Sequence, residues 1–442
     1  MRAAVVSVDE ARDAAPEAGG AVAAEARRPV GRVFANREYR GICLAQVTSE
    51  CGDQISGLAV AYLVYTRSNS AFLAAVSYAV TYVPWVIGSV LLAPLVDRYP
   101  RRSVLLFCDL ARAVLTLLLL AMTFDSRIPI AVLLAVVLLA SFCSPPFVTA
   151  RSSTIPDIFE GSPLYVRAVA TGRILQQVDQ VFGFALGGII VAAITPRGAL
   201  AVDAATFVAS FLLILTHVRK RPAPAPVRGL ALGRLLRNLG PDLRQVVADP
   251  ARRYLVLACA CALLFLIAPE GLAVAYVRQQ GHGALAAGLL SAAQPCGVAL
   301  GAWWYVRLPP HQQGRWLLRM PVIGAALLTL TAFAPPVWLT ALIWLASGVT
   351  QCFVVTSIAA YNVITDSALR GRANGLASSS ICLTQGLGFA VWGLVGDAQG
   401  AAAGVAWAGV AGLLLVSVLW YFWPDDAFGA VWERLAVAER RD

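Results

Sequence analysis

The chain has 442 residues, 59% hydrophobic and only 14% charged, with mean hydropathy +0.70 and net charge +10. Soluble domains run near about 45–50% apolar and about 25% charged, so a soluble enzyme of this length is excluded. The positive charge sits in short arginine clusters beside apolar runs, which fits topology signals and not a nucleic-acid surface.

The first 30 residues are rich in Ala, Glu and Arg and lack an apolar core. They are expected to form a cytoplasmic tail over residues 1–40, without a cleavable signal. A bilayer core of about 30 Å takes about 20 apolar residues as a helix. In chain order the apolar runs predict spans at 41–65, 71–95, 103–123, 129–149, 170–194 and 199–216. A second set falls at 254–276, 284–305, 316–334, 337–359, 374–396 and 401–422. The expected fold is therefore an all-α membrane protein with twelve transmembrane helices. They form two six-helix halves, 41–216 and 254–422, with a cytoplasmic linker at 217–253 and a C-terminal tail at 423–442. The linker opens with alternating prolines from Pro222 to Pro226 and continues into an amphipathic stretch, Leu232 to Leu239. That stretch suits the inner membrane surface.

The clusters Arg98/Arg101/Arg102, Arg219/Lys220/Arg221, Arg252/Arg253 and Arg370/Arg372 fall on one side of such a bundle. Only Arg67, Arg127, Arg197 and Arg278 fall on the other. The positive-inside rule puts both termini in the cytoplasm of a multi-pass protein of the cell membrane. Trp303, Trp304, Trp420 and Trp423 lie near span ends, where interfacial aromatics collect.

All nine cysteines fall inside apolar runs and none forms a Cys-x-x-Cys pair, so they read as small hydrophobes and no metal or cofactor is expected. The sole lysine, Lys220, lies in no Gly-x-x-x-x-Gly-Lys loop, which excludes an ATP-driven pump in this polypeptide. No enzyme signature is present.

A charge inside a membrane helix is costly and marks function by default. Glu50 and Asp53 lie about 14 Å and about 18 Å into the first span at 1.5 Å per residue, on one helix face. Asp179 lies about 14 Å into the fifth span, flanked by Gln176, Gln177 and Gln180, and Glu270 lies about 24 Å into the seventh. Glu50, Asp53 and Asp179 are the candidate proton sites, with Glu270 a candidate substrate or outer-gate contact. Asp109 and Arg112, three residues apart, are expected to form a local ion pair stabilising the third span. Gly183, Gly187 and Gly188 are expected to let helices approach closely or bend. Gly183 and Gly188 recur in the second half as Gly388 and Gly393, with Trp392 at the place of Gly187, in a pattern offset by 205 residues, and Arg167-Ala168 matches Arg372-Ala373 at the same offset.

The loop after the second span reads Ala93-Pro94-Leu95-Val96-Asp97-Arg98-Tyr99-Pro100-Arg101-Arg102. It resembles the major facilitator signature Gly-x-x-x-Asp-Arg-x-Gly-Arg-Arg, with Ala93 and Pro100 in place of the glycines. Asp97 among Arg98, Arg101 and Arg102 suits a conformational switch loop, to which Arg370 and Arg372 are the counterpart before the eleventh span. Ser49-Glu50-x-Gly52-Asp53, Asp109-x-x-Arg112, Pro156-Asp157, Pro269-Glu270-Gly271 and Arg370-Gly371-Arg372-x-Asn374 resemble the subfamily that includes siderophore and macrolide exporters. The resemblance implies an exporter of small amphiphilic organic compounds, driven by proton antiport with alternating access and acting as a monomer among membrane lipids. Two departures stand out. Phe184 replaces the proline of the fifth-span antiporter motif, and no arginine lies between 129 and 149. A metabolite importer or uniporter, or a sensor or assembly protein that kept the carrier fold, are the competing readings.

Overall fold

The structure is a computed structural model that describes residues 30–91, 98–162, 164–222, 248–305, 307–365 and 370–424, with isolated positions between and beyond them. Asp97, the amphipathic linker stretch and the two tails up to residue 29 and from 429 lie outside the described residues, as do the side chains of Arg370 and Arg372.

Among the described residues every regular element is helical. The first half comprises α1 (Arg37–Ser68), α2 (Ala71–Leu91), α3 (Arg101–Met122), α4 (Ile130–Ser141), α5 (Ser144–Ile158) and α6 (Tyr165–His217). The second comprises α7 (Pro250–Leu266), α8 (Ala268–Gln279), α9 (Ala284–Tyr305), α10 (Pro310–Trp316), α11 (Arg319–Thr329), α12 (Val337–Val349), α13 (Phe353–Val363), α14 (Arg370–Gln399) and α15 (Ala401–Tyr421).

Boundaries and breaks have local chemical causes. Asn36 caps α1, its side-chain oxygen accepting from the amides of Glu38 (2.9 Å) and Tyr39 (3.2 Å), and Asn69 ends it in the left-handed region at φ 51°. Pro145 and Pro146 open α5 and separate it from α4, so one apolar stretch is two short arms. Residues 165–217 run as one helix of 53 residues except at Ile194 and Thr195, where Thr195 takes φ 73°, ψ 164° ahead of Pro196. A proline forbids helical geometry in the preceding residue, so the chain turns there without a loop.

Pro269, in the first turn of α8, has no amide to donate and interrupts the hydrogen-bond ladder between α7 and α8, while Ile267 between them keeps right-handed helical geometry. The carbonyls beside that break are not left bare. Trp392 Nε1 donates to Leu264 O at 2.7 Å and Gln294 Nε2 donates to Leu266 O at 2.6 Å. Inside a membrane a freed carbonyl needs such a partner, and these two bolt the break to α14 and α9.

Nine helices among the described residues are long and apolar enough to cross a membrane, against twelve expected spans. The 53-residue helix counts once although it holds two arms. α1 carries Glu50, Asp53 and their polar neighbours, and only Ala71–Ile87 of α2 enters as an apolar helix, too short to count. The outer surface is apolar: Phe107, Leu118, Trp303 and Leu414 are about half exposed or more, the inverse of a soluble protein.

α1 packs along α6, α2 against α14, and α6 against α9. The last contact is backbone to backbone, because a Cβ on Gly188 would stand 2.7 Å from Gly288 Cα. Gly388 fits as closely, since its Cβ would meet Leu264 O at 2.5 Å.

Candidate substrate cavity

A cavity of about 560 Å³ opens between the helices, and all four carboxylates singled out from sequence line it: Glu50, Asp53, Asp179 and Glu270. Gln176, Gln177 and Gln180 line it beside Asp179. The α1 face puts Glu50 and Asp53 in the same cavity, as the three-residue spacing requires.

Their environments differ. Glu50 makes an ion pair with Arg151 of α5, and Gln46 Nε2 bridges Glu50 Oε2 and Gly172 O, 3.2 Å from each. Asp53 pairs with Arg112 at 3.2 Å. Arg112 also holds Asp109 at 2.7 Å, and Asp109 accepts from Ser210 Oγ at 2.6 Å. The guanidinium lies between the rings of Phe147 and Phe207, 4.5 and 4.4 Å from their centroids. The Asp109–Arg112 pair therefore reaches beyond the third crossing and ties α3 to α1 and α6.

Among the described residues no ion pair reaches Asp179, and the nearby Arg151 is taken by Glu50. Asp179 is 1% exposed, the Cys51 thiol approaches its carbonyl at 3.6 Å, and its Oδ2 has no hydrogen-bond partner. Glu270 enters from α8, just past the Pro269 break, and none of the described residues gives its carboxylate a hydrogen bond or ion pair. Tyr78, Tyr82, Trp85 and Cys382 line the same cavity.

Two residues missed in sequence belong here. The fourth crossing runs on through α5 to Ile158, so Arg151 lies two residues past the expected end at 149, and the helix carries an arginine after all. Asp203, 1% exposed and within the second arm of α6, also lines the cavity. It sits against Gly52, where a Cβ would meet Asp203 Oδ1 at 2.5 Å and Thr206 Oγ1 at 2.1 Å. A lone carboxylate in an apolar run was the signal for it.

Of the switch-loop residues, the described Arg98, Arg101 and Arg102 do not line the cavity. Arg101 pairs with Asp157 and donates to Ser153 O at 2.6 Å, Arg102 donates to Leu215 O at 2.6 Å, and Arg98 is exposed. At the same end Arg221 Nη2 donates to Glu38 Oε2 at 2.9 Å. At the opposite end Arg67 and Arg197 both donate to Thr123 O, at 2.7 and 3.0 Å. There Asp397 of α14 accepts from Ser70 Oγ (2.6 Å) and from the Phe72 amide at the start of α2 (3.1 Å). That end also holds Arg278 near the Tyr62 ring, at 5.6 Å.

Known proteins resemble this arrangement. The multidrug efflux pump Tap of Mycolicibacterium fortuitum is 26% identical over 370 residues, covering 81% of this chain and 89% of that protein. The enterobactin exporter EntS of Escherichia coli O1:K1 is 26% identical over 392 residues, covering 86% and 90%. Two solved structures share the fold at low identity. A bacterial homologue of the iron transporter ferroportin in an inward-facing state has TM-score 0.66 at 16% identity, covering 88% of this chain and 98% of that one. A peptide transporter in complex with sulfate has TM-score 0.67 at 13% identity, covering 90% and 98%. Residues 42–363 match the Major Facilitator Superfamily, whose members are transporters and not enzymes. The chain belongs to the major facilitator superfamily of membrane transporters.

Proposed function

We propose that this transporter exports small amphiphilic organic compounds across the cytoplasmic membrane by proton antiport. The observation that carries the reading is the convergence of Glu50, Asp53, Asp179 and Glu270 on one cavity between the helices. Asp179 is the proton carrier: it is buried, uncompensated by a cation, and beside the Glu50–Arg151 pair, whose guanidinium can turn to whichever carboxylate is charged. The drug and siderophore exporters among the relatives support the direction and the substrate class.

In this reading the chain crosses the membrane twelve times in halves 41–216 and 254–422, as a monomer with both termini cytoplasmic. The arginine-rich end that holds Arg101 and Arg221 faces the cytoplasm. The outer end is closed by the Asp397 contacts and by Gly188 on Gly288. Rocking about that end exposes the cavity alternately. With no phosphate-binding loop in the chain, the ion gradient supplies the work.

Everted membrane vesicles loaded through an imposed proton gradient test this with an amphiphilic dye. Accumulation should stop when the gradient is collapsed and in Asp179→Asn. Accumulation that persists unchanged in both rules out proton antiport.

A further inference from the structure

Five carboxylates line the cavity (Glu50, Asp53, Asp179, Asp203, Glu270), against one lining guanidinium, Arg112. Arg151 answers Glu50, and Arg112 is shared between Asp53 and Asp109. Among the described lining residues the second half contributes Glu270 and Cys382, and Glu270 has no counter-charge among them. Glu270 is half-buried and faces the cavity, and a carboxylate on a membrane-embedded helix that has no protein partner is open to a cationic ligand.

A second deficit lies beside it. Tyr78 is 6% exposed, lines the same cavity, and its hydroxyl has no hydrogen-bond partner. Leaving a buried hydroxyl unsatisfied costs free energy, and such atoms in native proteins call for an explanation. The ring of Tyr78 stacks on Phe389 at 5.5 Å, and Tyr82 leans on the same Phe389 at 5.6 Å. Phe389 thus holds both tyrosines in place, and Gly271, one residue past Glu270, lies so close to it that a Cβ would meet Phe389 Cδ1 at 2.6 Å. The bolted Pro269 break fixes Glu270 from its own side. These groups form a rigid corner from opposite halves: one anion, one unfilled hydroxyl and two aromatic rings.

We propose that Glu270, Tyr78 and Tyr82 form the recognition subsite for a monovalent organic cation with an apolar body, a protonated amine above all. This rests on the exporter reading and names its substrate class. The ammonium neutralises Glu270 and donates an N–H to the Tyr78 hydroxyl. The faces of the tyrosine rings attract the same positive charge. A cavity of about 560 Å³ suits a drug-sized body. An anion would meet five carboxylates and one arginine, and a neutral compound would leave Glu270 bare. Both are discriminated against by charge alone.

Equilibrium binding to the full chain in lipid nanodiscs tests the subsite without transport. The probes are radiolabelled propranolol (a protonated amine), tetraphenylphosphonium (a cation with no N–H) and fluorescein (an anion). The wild type should bind both cations and not the anion. Glu270→Gln should weaken both cations at least tenfold, and Glu270→Asp should recover part of that loss. Tyr78→Phe should weaken propranolol about fivefold and change tetraphenylphosphonium by less than twofold, a split that general damage to the fold would not give. Cation binding absent from the wild type, unchanged in Glu270→Gln, or matched by fluorescein overturns the proposal. Gradient-driven vesicle transport of a neutral compound in the absence of cation binding would sink the cation class and leave the exporter standing. Cation binding without any gradient-driven transport would sink the exporter and leave the subsite.

Discussion

The two halves meet at one cavity but bring unlike chemistry to it. The first half supplies Glu50, Asp53, Asp179 and Asp203, together with the arginines at 112 and 151 and the buried Asp109 behind them. The second supplies Glu270 and a wall bolted by Trp392 and Gln294. A network in which each guanidinium can serve more than one carboxylate is suited to exchanging protons, because charge can move without any group being left alone. A single fixed carboxylate is suited to recognising a ligand. In the proposed cycle this asymmetry gives proton exchange to the first half and ligand recognition to the second.

The comparison can be broken most severely at Arg112. Arg112→Ala leaves Asp109, which is fully buried, and Asp53 without their cation. Breaking a buried pair from one side costs about 3–5 kcal/mol, so the melting temperature in detergent should fall by several degrees. The double variant Arg112→Met, Asp109→Asn should regain most of it. An unchanged melting temperature in the single variant would mean that the network is not structural. Next in size, Asp203→Asn should reduce gradient-driven transport at least tenfold while leaving equilibrium ligand binding within about twofold, by the transition-specific logic of coupling residues. Loss of binding with transport would move Asp203 to the substrate side.

Smaller effects are expected at the closed end. Gly188→Ala places a Cβ against the Gly288 backbone, so the end at which α6 meets α9 should loosen. Cysteine pairs across that end should cross-link several-fold less, at little cost to ligand affinity. Asp397→Asn removes the carboxylate that caps α2 from α14. A charge at a helix N-terminus is worth about 0.3–1 kcal/mol, which predicts a shift of about two- to fivefold in the same cross-linking ratio. If neither variant alters cross-linking, that end is not the gate.

Much of this was readable from residues alone. Apolar runs and arginine clusters mark the helices and their grouping, since hydrocarbon thickness and backbone hydrogen bonding leave few solutions. The midplane carboxylates are conspicuous because ionisable groups are rare inside apolar runs. Arg151 escaped because a count of about 20 residues ends the fourth span at 149, whereas the Pro145-Pro146 break splits the crossing into two arms that together run from Ile130 to Ile158. Asp203 escaped because one carboxylate barely lowers the mean hydropathy of its run. The empty hydroxyl of Tyr78 leaves no trace in sequence at all. It depends on how α2 meets α14 and α8, contacts made across some two hundred residues or more of chain.

The turn at Thr195 has a mechanical side. Asp179 and Asp203 lie on two helical arms joined at Ile194 and Thr195 by a two-residue corner ahead of Pro196. A connection without slack works as a bell crank, so a tilt of one arm is delivered to the other as a tilt of fixed size. Two acids on such a lever are linked by the short chain between the arms as well as by the cavity that both line.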